Sequence, residues 1–99
     1  MIIQKTIENG TVTLAPEGWL DTTSSPELGA QLERIETADA IVFDFARLEY
    51  ISSAGIRQVV AAQHKAQALG ADFSVIHVSA EVMNIFRMTG IDKKIRITE

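Results

Sequence analysis

Two adjacent hydroxyls, Ser52 and Ser53, stand where an apolar stretch hands over to a helical repeat in the run AIVFDFARLEYISSAGIR, residues 40–57. Ile41, Val42, Phe43 and Phe45 read as a buried strand, and the residues after Gly55 recur with a helical period, which puts Ser52-Ser53-Ala54-Gly55 on the junction. A helix start carries unpaired backbone N–H groups and a partial positive charge. Such a place suits a phosphate, either one carried by a ligand or one added to the serine itself.

Other chemistries fit these residues poorly. A serine hydrolase would need the Gly-x-Ser-x-Gly elbow, but Ile51 occupies the position two before Ser53. His64 and His77 are the only candidate bases; the first falls at least two helical turns from Ser53 and the second near the end of an apolar strand. Neither histidine has a second ligand at a recognised spacing, and no metal or other cofactor is expected. The chain is read as a non-enzyme.

The elements that must position the serines follow from period and punctuation. Two strands, around residues 2–7 and 12–15, flank Asn9-Gly10, a strong short hairpin signal. After Gly18-Trp19-Leu20-Asp21, the run Ser25-Pro26-Glu27 offers a cap, a first-turn proline and an acid at the positive end of a helix whose inner face is Leu28, Leu32 and Ile35. Beyond the serines, Ile56, Val59, Val60, Ala66 and Leu69 mark a second helix that Gly70 ends. A strand returns over residues 73–78, and Ser79 caps a third helix with Val82, Ile85 and Phe86 inward, closed by Gly90. Ile91, Ile95 and Ile97 imply a last short strand. The order β-β-α-β-α-β-α-β predicts an α/β fold: a mixed sheet with an N-terminal hairpin and helices packed on its parallel strands. The serines then lie at a strand's carboxyl end, where open α/β sheets place ligands.

Length and composition narrow the class. Ninety-nine residues form one domain, 1–99, and 46% hydrophobic against 22% charged residues is ordinary for a globular chain. No apolar stretch is long enough to span a bilayer, and the start MIIQKTIENG lacks the features of a secretory signal, so a cytoplasmic location is expected. Cysteine is absent, which removes disulfides and thiolate chemistry. A net charge of −4 argues against a nucleic-acid partner, and the basic Lys93-Lys94-Ile95-Arg96 reads as a solvated strand edge.

Three separated motifs in order resemble the STAS domain family, and within it the single-domain anti-sigma factor antagonists. They are Gly18-Trp19-Leu20-Asp21, Tyr50-Ile51-Ser52-Ser53-Ala54-Gly55-Ile56, and Ser79-Ala80-Glu81-Val82 through Ile85-Phe86-Arg87-Met88-Thr89-Gly90-Ile91. The resemblance implies a partner-switching role: the unphosphorylated protein binds an anti-sigma factor that is also a serine kinase and frees the sigma factor. Phosphorylation reverses this, and a phosphoserine phosphatase restores the binding form.

Members of the family commonly read Asp-Ser-Ser-Gly, with the phosphate on the second serine. Anchored on Gly55, that register puts Ala54 at the second serine, Ser53 at the first and Ser52 at the aspartate. Ser53 is therefore the expected acceptor and Ser52 the second choice; the competing reading is that both only cap the helix. Asp21, Tyr50, Ser52, Ala54, Gly55, Ile56 and Arg57 are the expected partner-binding residues, with Trp19 and Phe86 read as packing residues and Met88 undecided. The alternative within the same fold is a constitutive adaptor or regulatory subunit, of a transporter or signalling complex, with no working phospho-switch.

Overall fold

The computed structural model describes residues 1–99. Strand β1 (Ile3–Glu8) and β2 (Thr11–Pro16) form the expected hairpin, paired antiparallel from Ile3 with Pro16 to Glu8 with Thr11. Asn9 and Gly10 both adopt positive φ, 50° and 80°, as a two-residue turn matched to the twist of the strands requires. A three-residue strand β3 (Gly18–Leu20) precedes helix α1 (Ser25–Glu33). Then come β4 (Ala40–Asp44), β5 (Leu48–Ile51), α2 (Ser53–Leu69), β6 (Asp72–Ile76), α3 (Ala80–Thr89), a 3₁₀ turn at Ile91–Lys93 and β7 (Arg96–Ile97).

The main sheet has the order β1-β2-β4-β6-β7, with every pair after the hairpin parallel. Its register stacks the core in rows: Val12 opposite Ile41 opposite Phe73, and Leu14 opposite Phe43 opposite Val75. All six are buried, and the helices cover them with Leu28 and Leu32 of α1, Val59, Ala62 and Ala66 of α2, and Val82, Met83 and Phe86 of α3. Phe73 meets Phe43 edge-on at 5.2 Å between ring centroids, so removing the Phe43 ring would cost about 3–5 kcal/mol.

The structure departs from the sequence expectation in several elements. The stretch before the serines is two strands: β4 ends at Asp44, and β5, which pairs with β3 in a separate two-stranded parallel sheet, leads into the serine turn. In α2 the buried stripe is Gly55, Val59, Ala62 and Ala66; Val60 is exposed, because with Val59 facing the sheet the next residue is turned about 100° around the helix axis. In α3 Met83 joins Val82 and Phe86 in the core, while Ile85 is half-buried at its margin. Ile91 lies in the 3₁₀ turn, and the last strand is only Arg96–Ile97, an edge flanked by exposed Lys93 and Lys94.

Candidate functional site

The β3–β5 pair builds the platform for the serines. Gly18 N–H donates to Arg47 O at 2.9 Å, Trp19 stands opposite Tyr50 and Leu20 opposite Ile51, and Ser52 N–H closes the pair on Leu20 O at 2.9 Å. Strand alternation turns Leu20 and Ile51 into the core and leaves Trp19 and Tyr50 outside. Because the strands are parallel, both chains leave the same end, one into Asp21 and the other into Ser52. Asp21 and the serine turn are therefore neighbours at that end.

Asp21 works on its own loop. Its Oδ1 accepts from Thr23 N–H at 3.0 Å, Ser24 N–H at 3.1 Å and the Ser24 hydroxyl at 3.1 Å. The one Ser24 hydroxyl proton is shared between that carboxylate and Trp19 O at 2.7 Å, and Ser24 Oγ accepts from Asp21 N–H at 2.9 Å. The Ser24 amide, first among these donors, holds the Asp21 carboxyl below the ordinary aspartate range. This loop, and not the Ser25 side chain expected as the cap, starts α1: Ser25 is the first helical residue and its Oγ is buried without a partner.

The two candidate acceptors have different surroundings. Ser53 is the first residue of α2 and is exposed. Ser52 occupies the N-cap position, yet its Oγ is buried, makes no cap bond and finds no partner. Ser79 provides the contrast, since it caps α3 through Val82 N–H at 3.2 Å. The first turn of α2 therefore keeps its positive end without a side-chain acceptor, directly beside the exposed Ser53 hydroxyl.

Around this turn, Arg57 is exposed, Ala54 and Ile56 are half-buried and Tyr50 is exposed. Gly55 corrects an expectation: it faces inward. A Cβ there would lie 2.7 Å from Ile51 Cγ1, 2.8 Å from Leu20 O and 2.9 Å from Leu20 Cγ, so the residue is needed for α2 to approach β3 and β5 and offers no surface to a partner.

Trp19 corrects another. Expected to pack, it is 61% exposed and lies against Tyr50, itself 43% exposed, with ring centroids 5.1 Å apart and an angle of 44° between the planes. Phe86 is buried as expected, and Met88, undecided from sequence, is exposed.

The histidines lie elsewhere. His64 is exposed on α2, eleven residues or about 16 Å along the helix from Ser53. His77 Nδ1 lies 2.9 Å from Asp44 Oδ1, which also accepts from Ala46 N–H at 3.0 Å; this pair ties the end of β6 to the β4–β5 turn. No group of three or more histidine or acidic side chains converges to hold a metal. No helix is long and apolar enough to cross a membrane.

A mixed sheet opened by a hairpin, with the serines at a helix start, is the expected architecture; the two-stranded β3–β5 platform beside it was not expected. The STAS domain model matches residues 3–99. The chain belongs to the STAS domain family. No curated protein matches it by sequence. Solved structures similar to this STAS domain include an anti-sigma factor antagonist from Mycobacterium paratuberculosis, at 19% identity, covering 98% of this chain and 84% of that one, with a TM-score of 0.82. The phosphorylated form of the Bacillus cell fate determinant SpoIIAA matches at 18% identity over 99% of this chain and 92% of that one, TM-score 0.77. A sulfate transporter family protein from Wolinella succinogenes matches at 17% identity over 95% and 80%, TM-score 0.82. At these identities the likeness is one of fold.

The sequence reading of this STAS domain missed strands β3 and β5, and with them the outward aromatic pair. A signal was present: Trp19 and Tyr50 each precede an apolar residue that leads into a polar turn, Trp19-Leu20-Asp21 and Tyr50-Ile51-Ser52.

Proposed function

We propose that this STAS domain is an anti-sigma factor antagonist that binds an anti-sigma factor with serine kinase activity and is released when that kinase phosphorylates Ser53. The observation that carries the reading is the exposed Ser53 hydroxyl on the first residue of α2, whose positive end has no side-chain cap. The burial of the Ser52 Oγ supports Ser53 over its neighbour. The similarity of fold to anti-sigma factor antagonists agrees with the partner class.

A phosphoryl group adds about −1.5 to −2 of charge and three acceptors, which the free amides of the first turn can receive, so the modified domain stays folded. A partner surface that buries the neutral hydroxyl meets an unpaired charge instead, a loss of about 3–5 kcal/mol or roughly two to four orders of magnitude in affinity. A phosphoserine phosphatase restores the binding form. In this role the domain is substrate and decoy, and catalyses nothing.

The test is incubation with the purified cognate anti-sigma kinase and ATP. Intact mass should rise by one phosphate in the wild type and in Ser52→Ala, but not in Ser53→Ala. Ser53→Asp should melt like the wild type and bind the kinase at least about a hundredfold more weakly, as the buried-charge argument requires; undiminished affinity refutes the electrostatic switch. A second reading, a constitutive adaptor or transporter regulatory subunit, is favoured by Ala54 at the position where similar sequences carry the modified serine, and by the fold shared with the Wolinella protein. Binding retained with no phosphate incorporated selects that reading.

A further inference from the structure

All four phenylalanines of this chain are buried, and the two aromatic side chains left in water, its single Trp and single Tyr, touch each other. Trp19 and Tyr50 face each other across the β3–β5 register and form a ridge on the outer side of the small sheet. Tryptophan and tyrosine are the residues most often found to carry binding energy at protein interfaces, because a rigid ring buries a large area at small entropic cost.

Geometry says what covers this ridge. Tyr50 precedes Ser53 by three residues, at most about 10 Å of extended chain. A protein partner of standard size buries about 800 Å² of each surface, equivalent to a disc of about 16 Å radius. A partner centred on the Ser53 hydroxyl is therefore wide enough to reach Tyr50, and with it the tryptophan at 5.1 Å. The ridge is flanked by exposed Glu49 and by the ionised Asp21 loop in a chain of net charge −4, and ring faces attract cations.

We propose that the Trp19–Tyr50 ridge is the affinity anchor of the face that carries Ser53. Its occupant is the kinase partner, which receives the two rings in an apolar pocket rimmed by a guanidinium or ammonium group. This rests on the function proposed above and divides the labour within it: the uncharged ridge supplies affinity, and Ser53 switches it.

The experiment titrates the purified cognate anti-sigma kinase against wild type, Trp19→Ala and Ile7→Ala. Ile7 is an exposed residue on β1 and controls for general loss of apolar surface. Trp19→Ala should weaken binding at least about thirtyfold, the size of an interface hot spot, with Ile7→Ala within about threefold of wild type. All variants should keep the wild-type melting temperature, since the side chains changed are exposed. With the single tryptophan carried as 5-fluorotryptophan, its one ¹⁹F resonance should shift on complex formation. Wild-type binding with Trp19→Ala unchanged, or a ¹⁹F resonance unmoved at saturation, overturns the anchor and leaves the antagonist reading intact. Failure of the wild type to bind overturns both.

Discussion

Replacing Gly55 by alanine asks whether this glycine serves the fold or the surface. The added methyl would sit 2.7 Å from Ile51 Cγ1 and 2.9 Å from Leu20 Cγ, both well inside the optimal carbon separation of about 3.5–4.0 Å. Leu20 and Ile51 are almost completely buried and have no room to retreat. The third contact, Leu20 O at 2.8 Å, is a backbone atom already accepting from Ser52 N–H at 2.9 Å. Three contacts below 3.0 Å, one of them to a backbone atom, put the overpacking cost in the upper part of the usual range, about 2–3 kcal/mol, and exchanging a helical glycine for alanine returns at most about 1 kcal/mol. The net loss of about 1–2 kcal/mol corresponds to a melting temperature lower by roughly 5–15 °C in a domain of this size. Thermal unfolding followed by circular dichroism measures the shift, urea unfolding with an unchanged m-value shows that the native state lost stability, and the Ser52 amide should exchange faster as α2 is pushed from β3. A melting temperature equal to or above that of the wild type refutes the reasoning. It would mean that α2 moves outward at no cost and that Gly55 is free to face a partner.

Two further outcomes distinguish the roles of the polar residues. Ser79→Ala should cost about 1 kcal/mol through the lost α3 cap, while Ser52→Ala, which removes a buried hydroxyl that bonds nothing, should be neutral or slightly stabilising in the same urea titration. Equal losses would show that Ser52 caps α2 after all. The Asp21 carboxyl titrates lower in the folded chain than in the unfolded one, chiefly because the Ser24 amide donates to it. Its contribution is therefore fully present above the unfolded value and disappears as pH falls through the folded value. The stability gap between wild type and Asp21→Ala should hold from about pH 7 to 5 and close in the acid limb below about pH 3–4; a gap independent of pH rules out the carboxylate as its source.

Much of this was legible in local chemistry. Asn9-Gly10 specifies a hairpin because both residues tolerate positive φ, and the structure has them at 50° and 80°. Ser79 and Gly90 bound α3 because capping needs only backbone geometry and one side chain. Ser53 at the start of α2 followed from the change of period at the junction. The errors came where contact between distant segments decides. Strand β3 is three residues long and exists only because it pairs with β5, some thirty residues away, so neither shows the sustained alternation that marks a strand in sequence.

The sequence by itself determined the hairpin, the three helices and the placement of two hydroxyls at a helix start, because each depends on residues within a turn or two of one another. Tertiary structure alone decided which hydroxyl is exposed and which is buried, that Gly55 faces inward, and that Trp19 stands out in water beside Tyr50. The physical reason is the same in each case. A residue's exposure is set by what packs against it, and here the β3–β5 register brings together two strands that the chain keeps far apart.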